Sequence, residues 1–276
     1  MKRLWLGLVA VLVVIAIGAY FWLRQKEQPA PPPIPVVSPP EVVPPAPPAP
    51  AKPAIAYPVP TPGGVTELPP LEKAEDFVKH ELDGLFTAEA LKKYLLVDAF
   101  VRRVVATVDN LGRPLAPPRA WPVRITPGRF SVASGGEGSV IAAKNAARYV
   151  PFVEFVAAVD SERAVALYRK LYPLFQRAYE QLGYPGKYFN DRLVAVIDLL
   201  LETPEPAGAL KVDLPKFEGP LKPTHPWVLY RFADPRYQGL ASGQKMLLRM
   251  GVKNEKRLKA KLAELRKLLV AEKPSR

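Results

Sequence analysis

Few side chains in this chain can act as a nucleophile, a metal ligand or a general acid. Its 276 residues include two histidines, His80 and His225, and no cysteine, which removes thiolates, disulfides and sulfur-bound metals. Each histidine stands alone, the ordinary state of a surface or packing residue, so neither a metal nor a cofactor is expected. No GxSxG places a serine as nucleophile, and no serine pairs with either histidine in a known arrangement. Ser134-Gly135-Gly136-Glu137-Gly138-Ser139 has the glycine content of a phosphate loop. It lacks the Gly-Lys-Ser/Thr ending and a preceding buried strand, and reads as a flexible loop.

Carboxylates are the remaining reactive groups. Asp191 and Asp198 are seven apart on one expected helix, which puts them on one face about two turns apart. Glu154 is a third candidate. Glycan chemistry needs one carboxyl in an apolar pocket and one solvated, and spacing alone does not supply that. Asp198 lies inside Ala195-Val196-Ile197-Asp198-Leu199-Leu200, where a carboxylate must find a cation. Arg102 or Arg148 is the expected partner.

The elements that position these residues are mostly helical. An amphipathic stretch around Phe77, Leu82 and Leu85 leads to Thr87, an N-cap. It opens a long helix through Leu91, Leu95, Phe100, Val104 and Val108 that stops at Gly112. Val123 to Ile125 and Arg129 to Val132 flank Pro127-Gly128 as a short hairpin. Further helices run through Tyr149 and Phe155 to Val159, and from Asp160 or Ser161 to Gly183 with a bend at Pro173. The latter carries the stripe Ala164, Leu167, Tyr168, Leu171, Tyr172, Phe175, Tyr179 and Leu182. Another begins near Asn190 and ends at Pro204. Leu210 to Leu214 and Trp227 to Phe232 read as strands. Two helices close the chain, Arg236 to Met250 and Asn254 to Val270, with Gly251 between them. The expected fold is mainly α with a small antiparallel β element.

Ahead of this domain, 71–276, come two different segments. Leu4 to Leu23 holds no charge, is flanked by Lys2, Arg3, Arg24 and Lys26, and has aromatics near both ends. Twenty residues span roughly 30 Å as a helix, the thickness of a hydrocarbon core. Residues 1–27 therefore read as a transmembrane anchor. A cleaved signal is the competing reading, but a cut after Gly18 would leave Tyr20, Phe21 and Trp22 at the new terminus. The basic residues at the start favour a cytoplasmic N-terminus. Residues 28–70 read as a disordered proline-rich stalk, because proline fixes φ and lacks a donor. It works as a spacer or as a set of PxxP-like ligands.

The chain carries 39 basic against 26 acidic side chains, a net +13. The last helix concentrates the excess, with a seam of Leu258, Leu262, Leu265 and Leu269 packed inward and cations outward. Such cations suit anionic lipid, cell-wall polymer or nucleic acid through screened attraction. Nucleic acid is not expected, since no recognition motif is present.

Five stretches resemble a bacterial family catalogued as domain of unknown function 3014: Arg102 to Leu111, Tyr172 to Tyr179, Leu182 to Pro185, Phe189 to Arg192 and Gly243 to Gly251. The likeness covers roughly Asp98 to Leu265 and includes the anchor-plus-stalk layout. It implies a Gram-negative inner-membrane protein with its C-terminal domain in the periplasm, and no activity. Within those stretches or beside them Arg102, Arg103, Tyr149, Tyr184, Asp191, Arg192 and Arg249 are the candidate binding residues, and no catalytic residue is assigned. The favoured function is a non-enzymatic envelope scaffold that meets another envelope protein or peptidoglycan. The alternative is a periplasmic hydrolase of cell-wall glycan or peptide using Asp191, Asp198 or Glu154.

Overall fold

A computed structural model describes residues 54–60, 68–135, 138–216 and 223–271. The expected membrane helix, Leu4 to Leu23, and the stalk up to Pro53 lie outside the described residues. Among the described residues no helix is long and apolar enough to cross a membrane. The chain divides into two units, Met1–Ala51 and Lys52–Arg276, and the second is the folded domain.

Thr87 caps α2 (Ala88–Tyr94), which follows α1 (Glu75–Asp83), and its Oγ1 accepts the Ala90 N–H at 3.2 Å. The single helix expected from Thr87 to Gly112 is broken. Leu95 turns extended and bridges Val123, while Arg124 donates its N–H to Tyr94 O at 2.8 Å. Ala99 then takes a left-handed φ of 48° before α3 (Phe100–Leu111) ends at Gly112. The apolar spacing runs on through the break; only the pairing with residues 122–124, distant in sequence, diverts the backbone.

That bridge also removes the expected hairpin about Pro127-Gly128. The hairpin lies one segment later, with β1 (Val132–Gly135) against β2 (Gly138–Ile141) in the register Val132↔Ile141. Ser134-Gly135 and Gly138-Ser139, read as part of a loop, instead pair across these two strands. β3 (Lys211–Asp213) and β4 (Arg231–Phe232) complete a four-stranded antiparallel sheet in chain order, with Val212 opposite Phe232. Trp227, expected in a strand, sits in a 3₁₀ turn, Pro226–Val228.

Helices α4 (Ala143–Ala147) and α5 (Val150–Ala158) lead to the long α6 (Ser161–Gln181), capped by Asp160. Pro173 lies within α6, and Gly183 follows it at φ +111°. Along α6, Leu182 of the expected stripe is exposed, and Val165 and Leu174 are buried in addition. Then come α7 (Phe189–Leu201), the short α8 (Pro235–Gln238), α9 (Ser242–Met250) and α10 (Val252–Val270). The helix expected from Arg236 is thus two helices, parted at Gly239 to Ala241.

Helices α3, α6, α7 and α10 pack on one another around Val105, Leu171, Phe175, Phe189 and Leu200. Gly243 brings α9 close: a Cβ there would stand 2.6 Å from Leu200 Cδ2 and 3.2 Å from Leu111 O. A smaller cluster of Val212, Phe232 and Leu248 lies under the sheet. The cations of α10 do not all face outward. Lys259 Nζ donates to Thr203 O at 2.9 Å and Lys261 Nζ to Val159 O at 3.0 Å, because the carbonyls ending α7 and α5 lack helical partners. The result is a helical domain with a small antiparallel sheet.

Candidate functional site

The first turn of α7 is the most elaborate polar surface. Tyr188 precedes it in extended conformation, so Asn190 and Asp191 stand at the positive end of the helix, which favours an acidic side chain there. Across this turn lies the segment 54–60, which composition assigns to the stalk. Asp191 accepts the N–H of Ala56 at 3.1 Å and of Tyr57 at 2.8 Å. Asn190 Nδ2 donates to Tyr57 O at 2.9 Å, and Val59 donates its N–H to Tyr188 Oη at 2.9 Å.

A layer of aromatics, Tyr172 buried and Tyr168 and Tyr188 half-buried, fixes these groups. Asn190 is 0% exposed, and its Oδ1 accepts from Tyr168 Oη at 3.0 Å. The Tyr168 ring stands edge-on to Tyr172 at 5.7 Å, and Tyr172 packs on Tyr188 at 5.3 Å. Burial raises both the Tyr168 and Tyr172 phenol pKa, which keeps them protonated donors. Gln176 Oε1 accepts from Phe189 N–H at 2.8 Å and its Nε2 donates to Lys187 O at 2.8 Å, tying the 182–188 turn to α6. Beside Ala54 and Ile55 a cleft of about 710 Å³ opens, lined in part by Gln176, Glu180, Lys187, Asp191 and Arg192.

Arg192 joins this cleft to a charged cluster. Asp109, its side chain 6% exposed, pairs with Arg113 at 2.7 Å and Arg192 at 3.3 Å, and accepts from Tyr184 Oη at 3.1 Å. The Asp109 charge beside it raises the Arg113 pKa. Gly112 leaves room for the Arg192 guanidinium, since a Cβ would come within 3.0 Å of it.

Of the residues singled out from sequence, Tyr184, Asp191 and Arg192 share this face. The others have separate partners. Arg102 bonds Glu72 and Gln181, each at 3.2 Å. Arg103 holds Asp98 at 2.7 Å and the carbonyl of Arg119. Tyr149 precedes α5, with the Arg148 guanidinium 5.3 Å from its ring. Arg249 lies over the Phe232 ring at 4.5 Å and, with Lys245, lines a cleft of about 420 Å³. Burial lowers the pKa of both cations. Asp198 pairs with Arg266, not with Arg102 or Arg148, because α10 packs along α7 while Arg148 is drawn to the carbonyls of Pro127 and Gly128. Glu154 is exposed and stands 3.9 Å from Arg257. Among the described residues no three His, Asp or Glu side chains group as a metal site.

The profile of the family described as protein of unknown function, DUF3014, matches residues 100–266. The chain belongs to this family. The match takes in α3, α6, α7 and α9 and most of α10, hence Asp109, Tyr184, Asn190, Asp191 and Arg192. Residues 54–60 lie outside it. No curated protein and no solved structure matches the chain.

Sequence reasoning passed over Asp109, Arg113, Tyr188, Asn190 and the segment 54–60. Asp109 had the same signal as Asp198, a carboxylate following an apolar helical run. Asn190 at a helix start reads as a cap, which hides a buried amide reaching another segment. Nothing marked Tyr57, since its proline neighbours exclude helix and sheet but not docking.

Proposed function

We propose that this protein is a single-pass inner-membrane protein of the bacterial envelope, with its N-terminus cytoplasmic and its C-terminal domain periplasmic, and that the domain is a non-enzymatic binding module. Support for the anchor comes from the uncharged Leu4 to Leu23 stretch and its basic flanks. The observation that carries the binding role is the seating of residues 54–60 on the start of α7 by four hydrogen bonds to main-chain groups. A face organised to hold a non-helical chain by its main-chain groups suits recognition better than reaction.

The hydrolase alternative gains less from the geometry. Asp191 is engaged by two N–H groups and Asp198 by Arg266, and about 10 Å of helix rise separates them. Pull-down from envelope extracts with the full chain in detergent tests the binding role. Enrichment of an envelope protein or of peptidoglycan over a charge-matched control is expected; equal recovery removes it. A C-terminal reporter that is active only outside the cytoplasm tests the topology, and an inactive fusion overturns the anchored reading.

A further inference from the structure

We infer that the groove at the start of α7 is a binding site for a non-helical, proline-containing peptide of a partner protein, bent where Ala56 and Tyr57 bend, and that residues 54–60 occupy it in cis as a stand-in for that ligand. This deepens the binding role proposed above by naming the ligand class, and it needs neither the anchor nor the envelope.

The hydrogen-bond pattern defines the ligand. Asp191 takes the N–H groups of two successive residues, Ala56 and Tyr57; Asn190 gives to Tyr57 O; Tyr188 takes the N–H of Val59. Numbered from Ala56 as i, the groove needs donors at i, i+1 and i+3 and leaves i+2 and i+4 free. Those two positions are Pro58 and Pro60. Proline has no N–H to lose there, and its fixed φ restricts the chain before it binds. The hydrogen bonds address main chain while Val59 packs against the core, so a different sequence with the same proline spacing and an apolar residue at i+3 fits.

The groove is built for such a chain. Asn190 is wholly buried, with its Oδ1 already taken by Tyr168, and Tyr57 O is the acceptor for its Nδ2. An empty groove exchanges that acceptor for water and uncovers the amide. The cleft beside Ala54 and Ile55 is bordered also by Lys187 and Arg192. Seven residues, 61–67, join the segment to Leu68. So short a link sets an effective concentration on the order of millimolar, which masks the groove from weak ligands.

The test uses the full chain in detergent and a fluorescein-labelled synthetic peptide with the sequence of residues 52–60, read by anisotropy. One variant carries a protease site between Thr61 and Glu67 and is cut. A second has residues 54–60 replaced by a Gly-Ser stretch of equal length. The peptide is expected to bind each variant about tenfold or more tightly than the uncut chain. Asp191→Ala in either background, or N-methylation of the peptide at the Ala56 and Tyr57 positions, abolishes binding. A peptide that binds neither variant more tightly than the uncut chain, or that binds equally when N-methylated, overturns the inference. So does an uncut chain that runs as a dimer dissolved by cutting while the peptide fails to bind, since the segment would then pass between copies. A cytoplasmic C-terminal reporter would remove the anchored reading and leave the peptide result standing.

Discussion

At the scale of single residues, polar groups are buried here mainly where a second segment completes them, and Glu255 is an exception among the described residues. It is 0% exposed in the first turn of α10, and neither carboxylate oxygen has a hydrogen-bond partner among the described residues. Lys259 Nζ is 3.8 Å away. Burial, opposed by Lys259 and Lys256 and assisted by Glu205, lifts its pKa from 4.5 to about 7. A folded pKa above the unfolded one means that the native state binds the proton more tightly. The stability from this group is therefore complete below pH 4.5 and is lost as pH rises through 7. Glu255→Gln keeps the shape and removes the titration. Relative to the unchanged chain it is expected to gain on the order of 1–3 kcal/mol at pH 8 and nothing at pH 4.5. Urea unfolding at both pH values measures this, and an equal difference at the two would refute a buried, titrating Glu255.

At the scale of elements, the close approach of α9 to α3 and α7 at Gly243 is the tightest constraint. Gly243→Ala is expected to cost about 1–3 kcal/mol, because the new methyl meets Leu200 and the Leu111 carbonyl. Leu200→Ala in the same chain should reduce that cost, and a double-mutant cycle reads the coupling; strictly additive losses would mean that the contact is not there. Elements whose ends are set by their own residues were legible from sequence. Thr87 and Asp160 cap as expected, and Gly112 and Gly251 stop their helices. Elements set by distant partners were not. The break at Leu95 depends on Val123, and the hairpin slipped because Val123 was already engaged. The site followed the same division: Tyr184, Asp191 and Arg192 stood out as polar or amphipathic residues within the family-like stretches, but the groove needed a segment more than a hundred residues upstream.

At the scale of the whole molecule, the quantity to measure is where the stable folded unit begins. Proline content puts the domain's start at residue 71, whereas the compact unit begins at Lys52 and takes in 54–60 and 68–70. A chain starting at 71 loses Val59 and Leu68, both packed against the main core. It also loses the four hydrogen bonds at α7. Together these should make it less stable than a chain starting at 52 by roughly 2–4 kcal/mol, on the order of 10 °C in Tm for a domain of this size. Thermal unfolding followed by circular dichroism compares the two, and equal midpoints would return the boundary to residue 71. The shorter chain also separates packing from recognition. A peptide of residues 52–60 binds only its native state, so added in excess it should raise that midpoint by mass action, while the longer chain, whose groove is already filled, should melt where it did before.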